Sequence, residues 1–269
     1  MKSKLLKFLS FLFAVTFILI LVFTACNKEE KEDNGKAPEI PPESAFVIDF
    51  SNFSGQQKST DEILTTQNYS FAAFNVAIWN AIITIGLAVP VASYVEAFNH
   101  EAEYQGNTTW KWTYNFQSVY TAELYGTIEK DSVVWTMYIS KSNEFDKFLW
   151  YSGTCDIAAT GGYWVLNKSP EENHKLLKIE WTRNKTNQTG TIKYTNVEPG
   201  GSENGGYIYY GFTDGTPYNA FYDIYNKGLD RLIEIEWNRD DHSGRVKAEF
   251  HFGDTDWHCW DIDYQDIDC

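Results

Sequence analysis

The sequence predicts a mainly β fold: a curved antiparallel sheet or partly closed β-barrel packed on one or two helices. Three observations carry this expectation. From residue 108 onward, short aromatic and β-branched runs alternate with turn residues. One apolar stretch of helical length precedes them, and a hairpin motif occurs twice.

The runs cover 110–117, 119–129, 133–140, 145–151, 163–166, 176–183, 191–197, 207–212, 220–226, 232–237, 245–252 and 257–264. Links such as Lys130-Asp131-Ser132, Asn226-Lys227-Gly228 and His242-Ser243-Gly244 are hairpin-sized, so neighbouring strands pair antiparallel. A sheet of this many strands does not stay flat, and it is expected to curl or close.

The repeated motif is Ile179-Glu180-Trp181-Thr182-Arg183 with Gly190-Thr191-Ile192-Lys193, matched by Ile235-Glu236-Trp237-Asn238-Arg239 with Gly244-Arg245-Val246-Lys247. The spacers between Arg and Gly differ by two residues, which preserves the face of every side chain. Ile, Trp and Arg then share a face, and Glu points the other way. Two readings follow: Trp-Arg rims at an opening, made of Trp181 with Arg183 and Trp237 with Arg239, or core tryptophans whose arginines reach out at the strand ends.

The helical stretch spans 67–103. Its part 71–89 carries only Asn75, Asn80 and Thr84 as polar side chains, and Pro90 breaks or kinks it before an amphipathic 91–103. It is long enough to cross a membrane. A helix apolar all round also suits burial inside a large fold, and the expected picture is a curved sheet wrapped around it. That layout resembles the half-barrel lipoprotein carriers that bind acyl chains, although none of their motifs carries over to a residue of this chain.

At the N-terminus, Lys2, Lys4 and Lys7 precede an apolar stretch from Leu5 to Phe23, followed by Thr24-Ala25-Cys26 and the polar Asn27-Lys28-Glu29-Glu30. This is the pattern of a secretory signal peptide over 1–25. The Phe23-Thr24-Ala25-Cys26 junction resembles a lipobox of bacterial lipoproteins, with Phe where the family usually has Leu. The resemblance covers about a tenth of the chain. It implies lipidation of Cys26, cleavage before it, and attachment to the membrane of the cell envelope, with the outer membrane expected. Residues 26–45, rich in charge and carrying Pro38, Pro41 and Pro42, read as a lipidated disordered tether. Their acidic start is similar to the export tethers of surface lipoproteins in some Gram-negative bacteria, and a plain solvated linker explains the same charges. Residues 46–269 are expected to form a single β-rich domain.

Removing 1–25 takes three lysines and no acid, leaving 244 residues with 19 cationic and 37 acidic side chains, a net charge of −18. Such a balance argues against nucleic-acid partners. Besides Cys26, the cysteines are Cys155, Cys259 and Cys269, which allow one disulfide without specifying the pair.

No G-x-S-x-G, phosphate loop, H-E-x-x-H or C-x-x-C occurs, so no catalytic residue, metal ligand or cofactor is assigned. His251 and His258 near Cys259 lack a fourth zinc ligand at standard spacing. The acidic end from Asp254 to Asp268 lacks the glycine of a calcium loop, and Glu180 with Glu236 faces outward from the two hairpins. The remaining signal is aromatic, with 10 Trp, 17 Tyr and 18 Phe. Tyr207, Tyr209, Tyr210, Tyr218, Phe221, Tyr222 and Tyr225 crowd around 213–217, more than one buried face absorbs. Tyr207, Tyr209, Tyr222, Trp181, Trp237, Arg183 and Arg239 are therefore the candidate contacts for an apolar, glycan or peptide ligand. Noncatalytic binding at the envelope is the expected function; the alternatives are a structural or adhesive component and a hydrolase.

Overall fold

The computed structural model describes residues 35–53 and 65–269, and Ala37–Cys269 forms one compact unit. The signal stretch, Cys26 and the acidic start of the tether lie outside the described residues. The strands are β1 (Glu103–Gly106), β2 (Thr109–Phe116), β3 (Tyr120–Glu129), β4 (Ser132–Lys141), β5 (Phe145–Asp156), β6 (Gly161–Asn167) and β7 (Lys175–Arg183). They continue as β8 (Gly190–Asn196), β9 (Tyr207–Phe212), β10 (Ala220–Asn226), β11 (Arg231–Trp237), β12 (Gly244–Lys247), β13 (His258–Trp260) and β14 (Asp266–Ile267). All pair antiparallel in sequence order, so the sheet is a 14-stranded meander. Among the described residues β1 does not pair with β14, and the sheet is open rather than closed.

The expected runs all contain strands. Two are shorter than expected: 245–252 divides into β12 and a short helix, Glu249–Phe252, that ends at left-handed Gly253, and of 257–264 only His258–Trp260 is strand. Period-two alternation is clean through the middle of the sheet, with Val133, Trp135, Met137 and Ile139 of β4 buried and their neighbours half-exposed. The sheet thus has an inner face of large aromatic and aliphatic side chains and an outer, wetter face.

Helix α1 (Gln67–Gly86) and helix α2 (Ala88–Ala97) pack on the inner side, α1 against β12, β13 and β14, and α2 against β2. The break between them falls at Leu87, three residues before the proline. Pro90 has no N–H to donate to Gly86, so the ladder runs to Leu87 N–H on Ile83 O (2.9 Å) and resumes at Val91 N–H on Leu87 O (2.9 Å). The expected extension to 103 does not occur, because 103–106 pairs with β2. Nor is α1 enclosed. It buries Tyr69, Ala72, Val76 and Ile83 and leaves much of its apolar surface in water.

The tether is shorter than the sequence suggests. Residues 37–45, expected to stay disordered, belong to the compact unit, and 41–53 runs as a strap across the inner face, with Pro41, Ala45, Phe46, Ile48 and Phe53 buried. An irregular backbone can be buried only when its polar groups find partners. Here side chains supply them: Tyr94 Oη donates to Pro41 O (2.6 Å), Trp164 Nε1 to Ala45 O (3.0 Å) and Tyr194 Oη to Phe46 O (2.5 Å). The Phe46 ring lies among Tyr94 (4.5 Å between centroids), Tyr151 (4.8 Å) and Trp164 (5.8 Å). Seven residues on, Phe53 contacts Trp237 (5.0 Å) and Tyr222 (5.8 Å), so the two rings pin both parts of the sheet to one strap.

Candidate functional site

The two hairpins of the repeat are β7–β8 and β11–β12. In the first, Trp181 pairs with Ile192 and Arg183 with Gly190; in the second, Trp237 pairs with Gly244. The register differs by two positions between the copies and the faces are preserved. Trp181 and Trp237 are both buried on the inner face, as are Ile179 and Ile235. They are core, and the Trp-Arg rim does not form. Arg183 donates from Nε to Ala159 O (2.7 Å) and from Nη2 to Glu39 Oε1 (3.0 Å), clamping the chain ahead of the strap to the sheet. Arg239 lies over the Phe212 ring (4.2 Å) and bonds Asn219 Oδ1.

The tyrosine cluster divides in the same way. Ile208, Tyr210, Tyr222 and Ile224 point inward, and the Tyr210, Tyr222 and Trp237 rings stack at 4.8 and 5.0 Å. Tyr207, Tyr209, Phe221 and Tyr225 point outward and are half-exposed. Tyr209 and Tyr222, expected to grip one ligand together, stand on opposite faces: Tyr209 pairs across with Asp223, and Tyr222 with Tyr210.

The outer face of β8–β12 forms a grid. One row crosses five strands as Lys193, Tyr209, Asp223, Glu234 and Lys247, each paired with the next. The adjoining row holds Thr191, Gly211, Phe221, Glu236 and Arg245. Gly211 is required here, because a Cβ on it would stand 2.6 Å from the Phe221 ring. Its absence lets that ring lie across β9 and meet Tyr209 edge-on at 5.0 Å.

Beside this row the β9–β10 loop, with a cis bond at Thr216-Pro217, rises over the sheet and makes a groove of about 520 Å³. Phe221, Glu236 and Arg245 line it, with Tyr218 and the Cys259–Cys269 disulfide at its sides. Arg245 donates to Glu236 Oε2 from Nε (2.7 Å) and Nη2 (2.5 Å), and its guanidinium lies over Trp257 (4.2 Å) and Tyr218 (4.9 Å). An ion pair held between aromatic rings offers a ligand both hydroxyl partners and flat apolar surface.

The charges are graded across the grid. Lys247 meets Glu234 at 2.6 Å, while no salt bridge to Asp223 occurs among the described residues. Burial, with Glu234 and Glu236 close by, pushes the Asp223 carboxyl from 3.8 up to about 6. Lys193 lies over the Tyr207 ring at 3.8 Å. The sequence reading singled out Tyr207, Tyr209 and Phe221 but missed Asp223 and the joint role of Arg245 and Trp257. Alternation along β10 puts Asp223 on the face of Phe221 and Tyr225, a signal present in the sequence; its neighbours on β11 are not.

Other clusters are occupied by their own partners. Glu172, His174 and Glu198 approach within metal-ligand range, but Lys168 Nζ already bonds Glu172 (2.8 Å) and Glu198 (3.0 Å). In the acidic end, Asp254 bonds His258 (3.0 Å), Asp261 accepts Asp263 N–H and Gln265 N–H (both 2.9 Å), and Asp266 caps α1. A second hollow of about 510 Å³ lies between the strap and β7–β9, lined by Val47, Tyr210, Phe212 and the clamped Arg183. Of the three cysteines, Cys259 and Cys269 are the bonded pair, and Cys155 is a buried thiol that accepts from Trp135 Nε1 (3.2 Å). Comparison with family models, with curated proteins and with solved structures finds no match for this chain, so the grid and groove are read on their own chemistry.

Proposed function

We propose that this protein is a lipid-anchored envelope protein that binds a saccharide noncatalytically in the outer groove between the β9–β10 loop and β10–β12. The observation that carries the reading is the convergence of Tyr218, Phe221 and the Glu236–Arg245 pair on one groove of about 520 Å³. Aromatic faces stack on the apolar faces of sugar rings, and a carboxylate paired with a guanidinium meets their hydroxyls as acceptor and donor. The volume is in the range of ordinary ligand sites. Two of the three acids on the grid are neutralised by cations, Glu234 by Lys247 and Glu236 by Arg245, which suits recognition better than proton transfer. The Cys259–Cys269 bond belongs to an oxidising compartment and supports an extracytoplasmic location, as does the lipobox-like start ending at Cys26.

Titration of the purified protein with a panel of oligosaccharides, read by calorimetry, tests the site. Tyr218→Ala is expected to weaken the best ligand about tenfold, worth roughly 1.4 kcal/mol, and Glu236→Gln to weaken it as well. Tyr222→Phe, buried on the other face, is expected to leave affinity unchanged. Binding of peptides or fatty acids with none of saccharides, or turnover of a saccharide, overturns the reading. Anchoring is tested separately by metabolic labelling with a fatty-acid probe, which is expected to be lost in Cys26→Ser.

A further inference from the structure

Helix α1 has two apolar faces. Tyr69, Ala72, Val76 and Ile83 pack against the protein. At about 100° per residue, Phe74, Ile78, Ala81, Ile82 and Ile85 fall within a sector roughly 100° wide on the opposite side. Four of these are large side chains left in water, with Phe74 65%, Ile78 42%, Ile82 55% and Ile85 79% exposed. Phe250, 42% exposed, extends the surface through its contact with Phe71. Single exposed apolar residues are ordinary, but a continuous stripe of this kind marks an interaction surface.

The chemistry of the stripe selects its partner. No charged residue occurs from 67 to 95. From residue 71 on, polar side chains of α1 bond within the helix: Asn75 Nδ2 donates to Phe71 O (2.8 Å) and Thr84 Oγ1 to Asn80 Oδ1 (3.0 Å). From Phe74 to Ile85 this face carries no charge and no polar side chain, which suits hydrocarbon. A second copy of this chain fits less well. A 20-residue helix is about 30 Å long and 10–12 Å across, so its face offers roughly 300 Å², against about 800 Å² per partner in a stable interface. The net charge of −15 also sets copies of the chain against one another.

We propose that the outward face of α1 is covered by a lipid bilayer, the helix lying along the interface. It does not span, because its other face is packed on β12, β13 and β14. Interfacial helices usually keep a charged face toward water; here the protein itself takes that side. With no Lys or Arg on the face, docking does not depend on anionic lipid and is insensitive to salt. The inference does not rest on the anchoring or the saccharide reading.

The test uses the full chain carrying Cys26→Ser and Ile82→Cys, labelled at residue 82 with an environment-sensitive fluorophore and mixed with phosphatidylcholine vesicles. The buried Cys155 is shielded from label, and Cys259 and Cys269 are bonded to each other. The expected result is a blue shift on adding vesicles and strong quenching by lipids spin-labelled near the top of the acyl chain. Adding Ile78→Glu and Ile85→Glu is expected to cut the blue shift and the quenching at residue 82 at least tenfold, with circular dichroism unchanged because both positions are exposed. A probe that still reports water, whether or not the chain sediments with vesicles, overturns the proposal. So does a shift without lipid that grows with protein concentration, which assigns the face to a second copy.

Discussion

At the scale of single residues, Asp223 is the side chain whose surroundings most change its chemistry. In the unfolded chain it ionises near 3.8, and in the fold near 6, so the folded state holds a proton that the unfolded state has released. Protonated Asp223 therefore favours the fold, and this contribution is lost as pH rises from about 4 through about 6. Glu198, held low by His174 and Lys168, acts in the opposite direction and at lower pH, losing its contribution as pH falls below the usual glutamate range. Asp223→Asn is expected to flatten the dependence of the melting temperature on pH between 4 and 7, and to raise that temperature at pH 7. A wild-type curve with the same slope as the variant's over this range would show that Asp223 ionises normally.

At the scale of elements, α1 is held at its start by a residue some 200 positions away. The Asp266 carboxylate accepts from Gln67 N–H (3.1 Å), Asn68 N–H (3.0 Å) and Thr65 Oγ1 (2.5 Å), while Asp266 N–H donates to Thr65 O (2.8 Å). A carboxylate in this place satisfies helix N–H groups that have no partner in the helix and complements its dipole. Asp266→Ala is expected to cost about 1 kcal/mol, and Asp266→Asn less, in chemical denaturation. Asp268, exposed at the chain end, is the control, and its alanine variant is expected to melt with the wild type. The acidic end looks like a cluster of like charges in the sequence; in the fold Asp254, Asp261 and Asp266 are turn and cap acceptors.

At the scale of the whole molecule, the strap is the piece that converts an open meander into a compact body. It places Phe46 and Phe53 in contact with residues on α1, α2, β5, β6, β10, β11 and β13. A chain beginning at Gly35 is expected to be soluble and to unfold cooperatively. One beginning at Ser54 loses both rings and the strap carbonyls that Tyr94, Trp164 and Tyr194 satisfy, and is expected to bind a hydrophobic dye and aggregate. Phe46→Ala in the longer chain is expected to cost about 3–5 kcal/mol. Equal stability of the two truncated chains would show the strap to be dispensable.

What the sequence determined by itself is what depends on near neighbours along the chain. Alternation at period two located the strands, and short links made their pairing antiparallel and sequential. The two-residue difference between the repeated hairpins was enough to place Trp181 and Trp237 on equivalent faces and Glu180 and Glu236 opposite them. Alternation also shows that Tyr209 and Tyr222 lie on different faces once their pairing partners, Asp223 and Tyr210, are known. Tertiary structure alone decided the rest. Which face of β10 is buried depends on the strap and helices that cover it. Pro41 and Ala45 read as tether because the chain before them is charged and rich in proline; their partners are Tyr94 and Trp164, 53 and 119 positions on. The groove likewise joins Tyr218, Glu236, Arg245 and Cys269 across four separate segments. Local periodicity carries no record of such meetings, because they arise from burial of the whole surface at once.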